Sequence, residues 1–197
     1  LARLTPGGIA TSTPFLFPVG KGSFYRPFTV NLASQSAAST YTVEQLEGNP
    51  NPAGASNLDT GNGQGSAPLK RVSRFRSFLL TSSNSTGGNA IGTVMLSFDA
   101  GDRVNNPTDP GLVVAVSSGG SVFANLNRSV SSGSGSGPGG AEVAGTLTSS
   151  LFPTAAASAI FTLGATNDNI TFGAAINPLP VELTTFSALR QASNTVA

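Results

Sequence analysis

The sequence predicts an all-β protein: one antiparallel β-sandwich, immunoglobulin-like or jelly-roll-like, with about nine or ten strands and extended terminal segments. Three observations predict it. Gly and Pro, 24 and 13 of 197 residues, punctuate the chain so often that no stretch keeps an apolar stripe at helical spacing. Short runs rich in β-branched and aromatic residues recur between Gly, Pro, Asn and Ser clusters, at the interval of sandwich strands. No internal period marks a repeat array, so these strands belong to one domain.

The strands follow in order. FLFPV (15–19) is the first, then PFTVNL (27–32), with Phe28, Val30 and Leu32 on one face. TYTVEQL (40–46) sets Tyr41, Val43 and Gln45 against Thr42, Glu44 and Leu46. A long irregular excursion occupies 48–67. RVSRFRSFLL (71–80) and AIGTVMLSFDA (90–100) come next, and in the latter Val94, Leu96 and Phe98 alternate with Thr93, Met95 and Ser97, the period-2 pattern of a half-buried strand. LVVAV within 111–118 lacks alternation, so it reads as a central strand covered on both sides. SVFANL (121–126), AEVAGTLTSS (141–150), SAIFTLGA (158–165) and NITFGA (169–174) complete the set. PTAAASAIF (153–161), the best helical candidate, is short and reads as a turn entering a strand. Residues 1–14 form an N-terminal extended segment, 15–177 the sandwich and 178–197 a connector strand.

Charged residues make up 10% of the chain and the net charge is +1, so uncharged polar groups must supply solubility. The basic residues are scattered except for Lys70, Arg71, Arg74 and Arg76, which gives no broad field for a polyanion; nucleic acid is not an expected partner. No window is long and apolar enough to span a membrane as a helix, so membrane insertion is not expected. The chain begins at Leu1 with no signal-type segment, which reads as a mature product or a piece of something longer.

His and Cys are both absent, which excludes Ser-His-Asp and Cys-His triads and the usual zinc sites. Catalysis would have to rest on carboxylates. Their one cluster is DAGDRVNNPTD, with Asp99, Asp102 and Asp109 as weak candidates for a metal site. The spacing fits no EF-hand loop, and Asp and Asn favour turns for their own reasons. Glu44 and Glu47 fall on opposite faces of a strand, poor geometry for glycoside hydrolysis. GNGQG (61–65) and SSGSGSGPGG (131–140) read as loops and not phosphate cradles. In KRVSRFRSF, Arg74 and Arg76 share one face and Phe75 lies on the other, which places the ring in the core and both arginines at the surface or an interface. No catalytic residue and no cofactor are expected.

Three stretches, FLFPVGKGSFYRPFTV (15–30), the pair RFRSFLL (74–80) and GTVMLSFDAGD (92–102), and LPVELTTFSALRQ (179–191), together resemble large secreted surface proteins of Bacteroidetes-type bacteria exported by the type IX system. In these a sandwich with an "FPVG…YRP" start ends in a short "F.LG" strand, here Phe161 to Gly164, before a "PLPVELTSFTA" connector. The resemblance implies export, an extracellular or cell-surface location and structural or adhesive roles, with no catalytic residues. It departs in placing Arg76, where such sandwiches commonly have Trp, after the Arg74-Phe75 pair. It also departs in stopping at Ala197, before a sorting domain.

The expected function is a non-enzymatic extracellular structural protein, a surface or filament subunit forming a homo-oligomer or homopolymer by strand pairing between copies. The candidate interface residues are Leu4 and Ile9 near the start and Val181, Leu183, Phe186 and Ala188 near the end. Pro178 and Pro180 favour extended backbone there. Val181 and Leu183 face one side and Phe186 and Ala188 the other, so a bulge or a change of packing partner near Thr184 and Thr185 is expected. The alternatives are an adhesin or glycan-binding module with a polysaccharide partner, and a spacer within a larger secreted protein.

Overall fold

The computed structural model describes residues 2–4, 13–34, 39–52, 58, 67–83, 90–118, 122–133, 141–150 and 158–166. Among them lie fourteen strands and a single 3-10 turn. They are β1 (Ala2–Leu4), β2 (Phe15–Phe17), β3 (Gly20–Lys21), β4 (Phe24–Tyr25), β5 (Phe28–Ser34), β6 (Tyr41–Glu47) and β7 (Arg71–Val72). Then come β8 (Arg76–Ser82), β9 (Ala90–Phe98), β10 (Leu112–Ser118), β11 (Ala124–Asn125), β12 (Val130–Ser132), β13 (Gly145–Thr148) and β14 (Ser158–Ala165). The count exceeds the expected one because several pieces are only two residues long.

Two antiparallel sheets pack face to face, as the sequence predicts. The first runs β1-β6-β8-β14-β10-β11, with β7 also pairing β14; the second runs β12-β13-β9-β5-β2, and β3-β4 is a separate hairpin. The alternating runs put one apolar row from each strand between the sheets. Phe28, Val30 and Leu32 of β5 and Val94, Leu96 and Phe98 of β9 meet Val43 of β6, Phe78 and Leu80 of β8 and Phe161 and Leu163 of β14 in one core. Phe28 sits across the layer from two rings, with centroids 5.2 Å from Phe78 and 5.5 Å from Phe161, the tilted packing that aromatic quadrupoles favour. A register shift in the β5–β9 pair near Leu32 lies beside Gly92, where an added Cβ would come within 2.8 Å of Asn31 O. The bulge therefore needs a residue without a side chain.

LVVAV is covered on both sides, as its lack of alternation predicts. Leu112, Val114 and Val116 enter the main core, while Val113 and Ala115 join Leu58, Leu69, Val72 and Phe123 in a second cluster on the outer face of the sheet. Leu58 makes an isolated parallel bridge to Phe123. Leu58, from the irregular excursion after β6, thus helps cover the outer face of β10. The connector, the NITFGA run, GNGQG and residues 134–140 lie outside the described residues.

Candidate functional site

At one end of the sandwich the inner rows change from apolar to ionic. Arg26 stands two residues before Phe28, Arg76 two before Phe78, and Gln45 and Glu47 continue the row of Tyr41 and Val43. Opposite them the chain leaves β9 after Phe98 into a 3-10 turn, Ala100–Asp102, whose N-cap is Asp99. Asp99 Oδ1 accepts from Gly101 N–H (2.8 Å), and Asp102 Oδ2 accepts from Asp99 N–H (2.8 Å). This reciprocal capping box presents both carboxylates to the interior.

Two guanidiniums and three carboxylates meet there. Arg26 Nε donates to Asp99 Oδ2 (2.8 Å) and its Nη1 to Glu47 Oε1 (2.6 Å). Arg76 donates through both Nε and Nη2 to the two oxygens of Asp102, and its Nη2 lies 2.9 Å from Asp99 Oδ1. Gln45 Nε2 donates to Glu47 Oε1 (2.7 Å). Asp99 therefore bridges the arginines, and the chain Glu47–Arg26–Asp99–Arg76–Asp102 ties the ends of β6, β8, β9 and β5 across both sheets. The planar guanidinium is suited to this forked contact. On its outer side Arg26 lies over the exposed Phe24 ring, 4.7 Å from the centroid.

The Arg76–Asp102 pair is deeply buried, Asp102 being 1% exposed and Arg76 4%, while the side chains of Asp99 and Glu47, 29% and 42% exposed, carry the cluster out to the surface. Burial pushes the Asp102 carboxyl above its ordinary value, and the adjacent Arg76 guanidinium opposes that rise without cancelling it. Arg76 Nη1 is buried and has no hydrogen-bond partner among the described residues. The ions are thus paired at a net desolvation cost, the usual condition of a buried salt bridge.

The expectation that Arg76 lies at the surface is corrected. Arg74 and Arg76 do not share a face either, because the chain bends at 74–75 between β7 and β8, and strict alternation begins only at Arg76, whose inward row continues through Phe78 and Leu80. Phe75 is only half-buried, with the Arg103 guanidinium 5.8 Å from its centroid, and Arg74 is exposed. Arg76 takes the buried place after the Arg-aromatic pair with an ion pair as its anchor.

Of the carboxylates singled out in the loop, the fold joins Asp99 and Asp102 through arginine. Asp109 serves a separate turn, where its Oδ1 accepts from Gly111 N–H (2.8 Å). Among the described residues no group of three or more acidic side chains is arranged to hold a metal ion. Glu44 is exposed on the outer face while Glu47 belongs to the cluster, so the two do not form a pair. Arg26, Gln45, Glu47 and Arg76 are the site residues that spacing alone did not single out; the parity of each with its neighbouring core residues was the signal.

Of the candidate interface residues, Leu4 is in β1, where its backbone pairs with Tyr41. Ile9, Val181, Leu183, Phe186 and Ala188 lie outside the described residues. β1 is the outermost strand of its sheet, and it covers β6 only from Tyr41 to Val43, although β6 continues to Glu47.

Comparison with protein-family models, with curated proteins and with solved structures gave no match to this chain.

Proposed function

We propose that the chain is a non-enzymatic extracellular structural protein that self-associates, its terminal strands pairing between copies to build a surface layer or filament. The observation that carries this reading is the β6 edge. It accepts a short strand from the chain's own start, in antiparallel register over three residues, and then runs on past it. An edge that takes this strand from its own chain offers the same main-chain groups to the same strand of a second copy. Used head to tail, such a contact gives an open polymer.

The low charge content and the resemblance to exported surface proteins support the location. The ion cluster supports a mechanical role: its carboxylates are held against arginines, and it joins the strand ends of both sheets.

The test compares the full chain with variants lacking residues 1–12 or 178–197, by light scattering across concentration and by electron microscopy. Concentration-dependent assembly of the full chain, lost in at least one truncation, is the expected result. Assembly undiminished in both truncations would refute terminal pairing, and a full chain that stays monomeric throughout would refute self-association.

A further inference from the structure

Beside Leu58 lies a cavity of about 210 Å³, lined by Asn49, Asn51, Leu58, Lys70, Arg71 and Arg74 together with Pro52 and Val72. Ten residues of the whole chain are Lys or Arg, so placing Lys70, Arg71 and Arg74 at one cavity concentrates positive charge in a protein that elsewhere has little. The described lining residues include no carboxylate. Lys70 and Arg74 are exposed, Arg71 is half-buried, and among the described residues neither Lys70 nor Arg74 has an acidic partner.

The wall is built and not incidental. Lys70 N–H donates to Ala165 O (2.8 Å) and Ser73 N–H to Leu163 O (2.7 Å), which pins the basic segment to β14. Asn49 Oδ1 accepts from Asn51 N–H (2.9 Å), which fixes the turn after β6 that supplies the two amides. Leu58 and Val72, both buried, form an apolar floor.

We infer that this cavity binds an acidic sugar unit, a uronate, at the end or along the length of a polysaccharide. Guanidinium and ammonium groups match the carboxylate, the Asn amides match ring hydroxyls, and the apolar floor suits the C–H face of the ring. The volume lies below the roughly 300–1,000 Å³ of pockets for drug-sized molecules, which limits the occupant to about one residue of a chain. The site gives the glycan-binding alternative a place and a ligand class, and it does not depend on self-association.

The experiment titrates the full chain with galacturonate, galactose and sodium sulfate by calorimetry, and maps amide shifts by NMR. Galacturonate should bind saturably, with shifts centred on Asn49, Asn51 and Arg71, and galactose at least roughly tenfold more weakly, as loss of charge-assisted hydrogen bonds implies. The double variant Lys70→Ala/Arg74→Ala should lose about tenfold or more, while Lys21→Ala on the β3–β4 hairpin, which does not line the cavity, should leave binding unchanged. Equal binding of galactose, sulfate binding as tight as galacturonate, no binding of galacturonate, or shifts centred elsewhere would each overturn the proposal. If the double variant unfolds, shift mapping on the unaltered chain still decides.

Discussion

Along the inner rows of the two sheets, Phe28, Phe78 and Phe161 fill the middle of the sandwich with rings, while Arg26 and Arg76, two residues further along the rows of Phe28 and Phe78, fill its end with ions. The two regions share strands, and the Arg76–Asp102 pair is as buried as the rings, yet they stabilise by different means. In the middle, stability follows from apolar area removed from water and from packing without voids. At the end, each charge is costly to bury, and what the cluster supplies is a fixed relation between strand ends that apolar contact, being non-directional, does not impose.

The comparison breaks most visibly in the middle. Phe28→Ala is expected to destabilise by about 3–5 kcal/mol, because it removes one ring from contact with two others across the layer and leaves a cavity. Denaturant unfolding with an unchanged slope is the check; a loss below about 1 kcal/mol would mean that the sheets collapse to fill the gap.

Arg76→Ala is expected to cost about 3 kcal/mol, the low end for breaking a buried pair. The reason is that Asp102, already pushed toward its neutral form by burial, takes up a proton once its partner has gone. Replacing the pair as Arg76→Met with Asp102→Leu should restore stability to within about 1 kcal/mol of the original or exceed it. A double variant as unstable as the single one would show that the ions contribute more than they cost.

A smaller effect appears with pH. The folded Asp102 carboxyl binds its proton at higher pH than the unfolded one, whose ordinary value is 3.8. The folded state therefore holds the extra proton between those two values, and stability falls as pH rises through that window. The contribution is fully present below 3.8. The stability of the unaltered chain minus that of Asp102→Asn should accordingly shrink from pH 3.5 upward, as read by thermal melts. A difference that grows with pH would mean that Arg76 overrides burial.

The smallest effect is expected from the exposed pair of Arg103 and Glu142, 3.6 Å apart with side chains 48% and 41% exposed. Glu142→Gln should change stability by less than about 0.5 kcal/mol. This sets the contrast between an ion pair in water and the cluster behind it.

Much of the fold was legible because alternation is a local signal: GTVMLSF announces which of its residues turn inward, and unbroken LVVAV announces cover on both faces. The sheet order was not legible, since pairing joins segments as distant as Phe78 and Phe161 and nothing local encodes that choice. The site fails at an instructive point. Alternation predicts that Arg74 and Arg76 share a face with the Phe75 ring inward, but the bend at 74–75 breaks the period before Arg76. The deciding information was where β8 begins, since within it Phe78 and Leu80 share Arg76's parity while Arg74, of the same parity, lies outside the strand. Asp99 and Asp102 were visible as a turn, but their partners on β8 and before β5 come together only through the tertiary fold. The basic run at 70–76 looked like one cluster in sequence, and the structure divides it: Arg76 points into the ionic end and the other three line the cavity.

The place of β14 carries a consequence for how this molecule comes into being. It lies between β8 and β10 in the middle of its sheet, yet it is the last of the described strands to be synthesised. Until residues 158–165 exist, β8 and β10 lack the neighbour that joins them, and the rings of Phe28 and Phe78 lack Phe161. Closing such long sequence separations is slow, so an emerging chain would remain open and exposed to aggregation. A truncation ahead of β14 would leave β6-β8 and β10-β11 with no strand hydrogen-bonded between them.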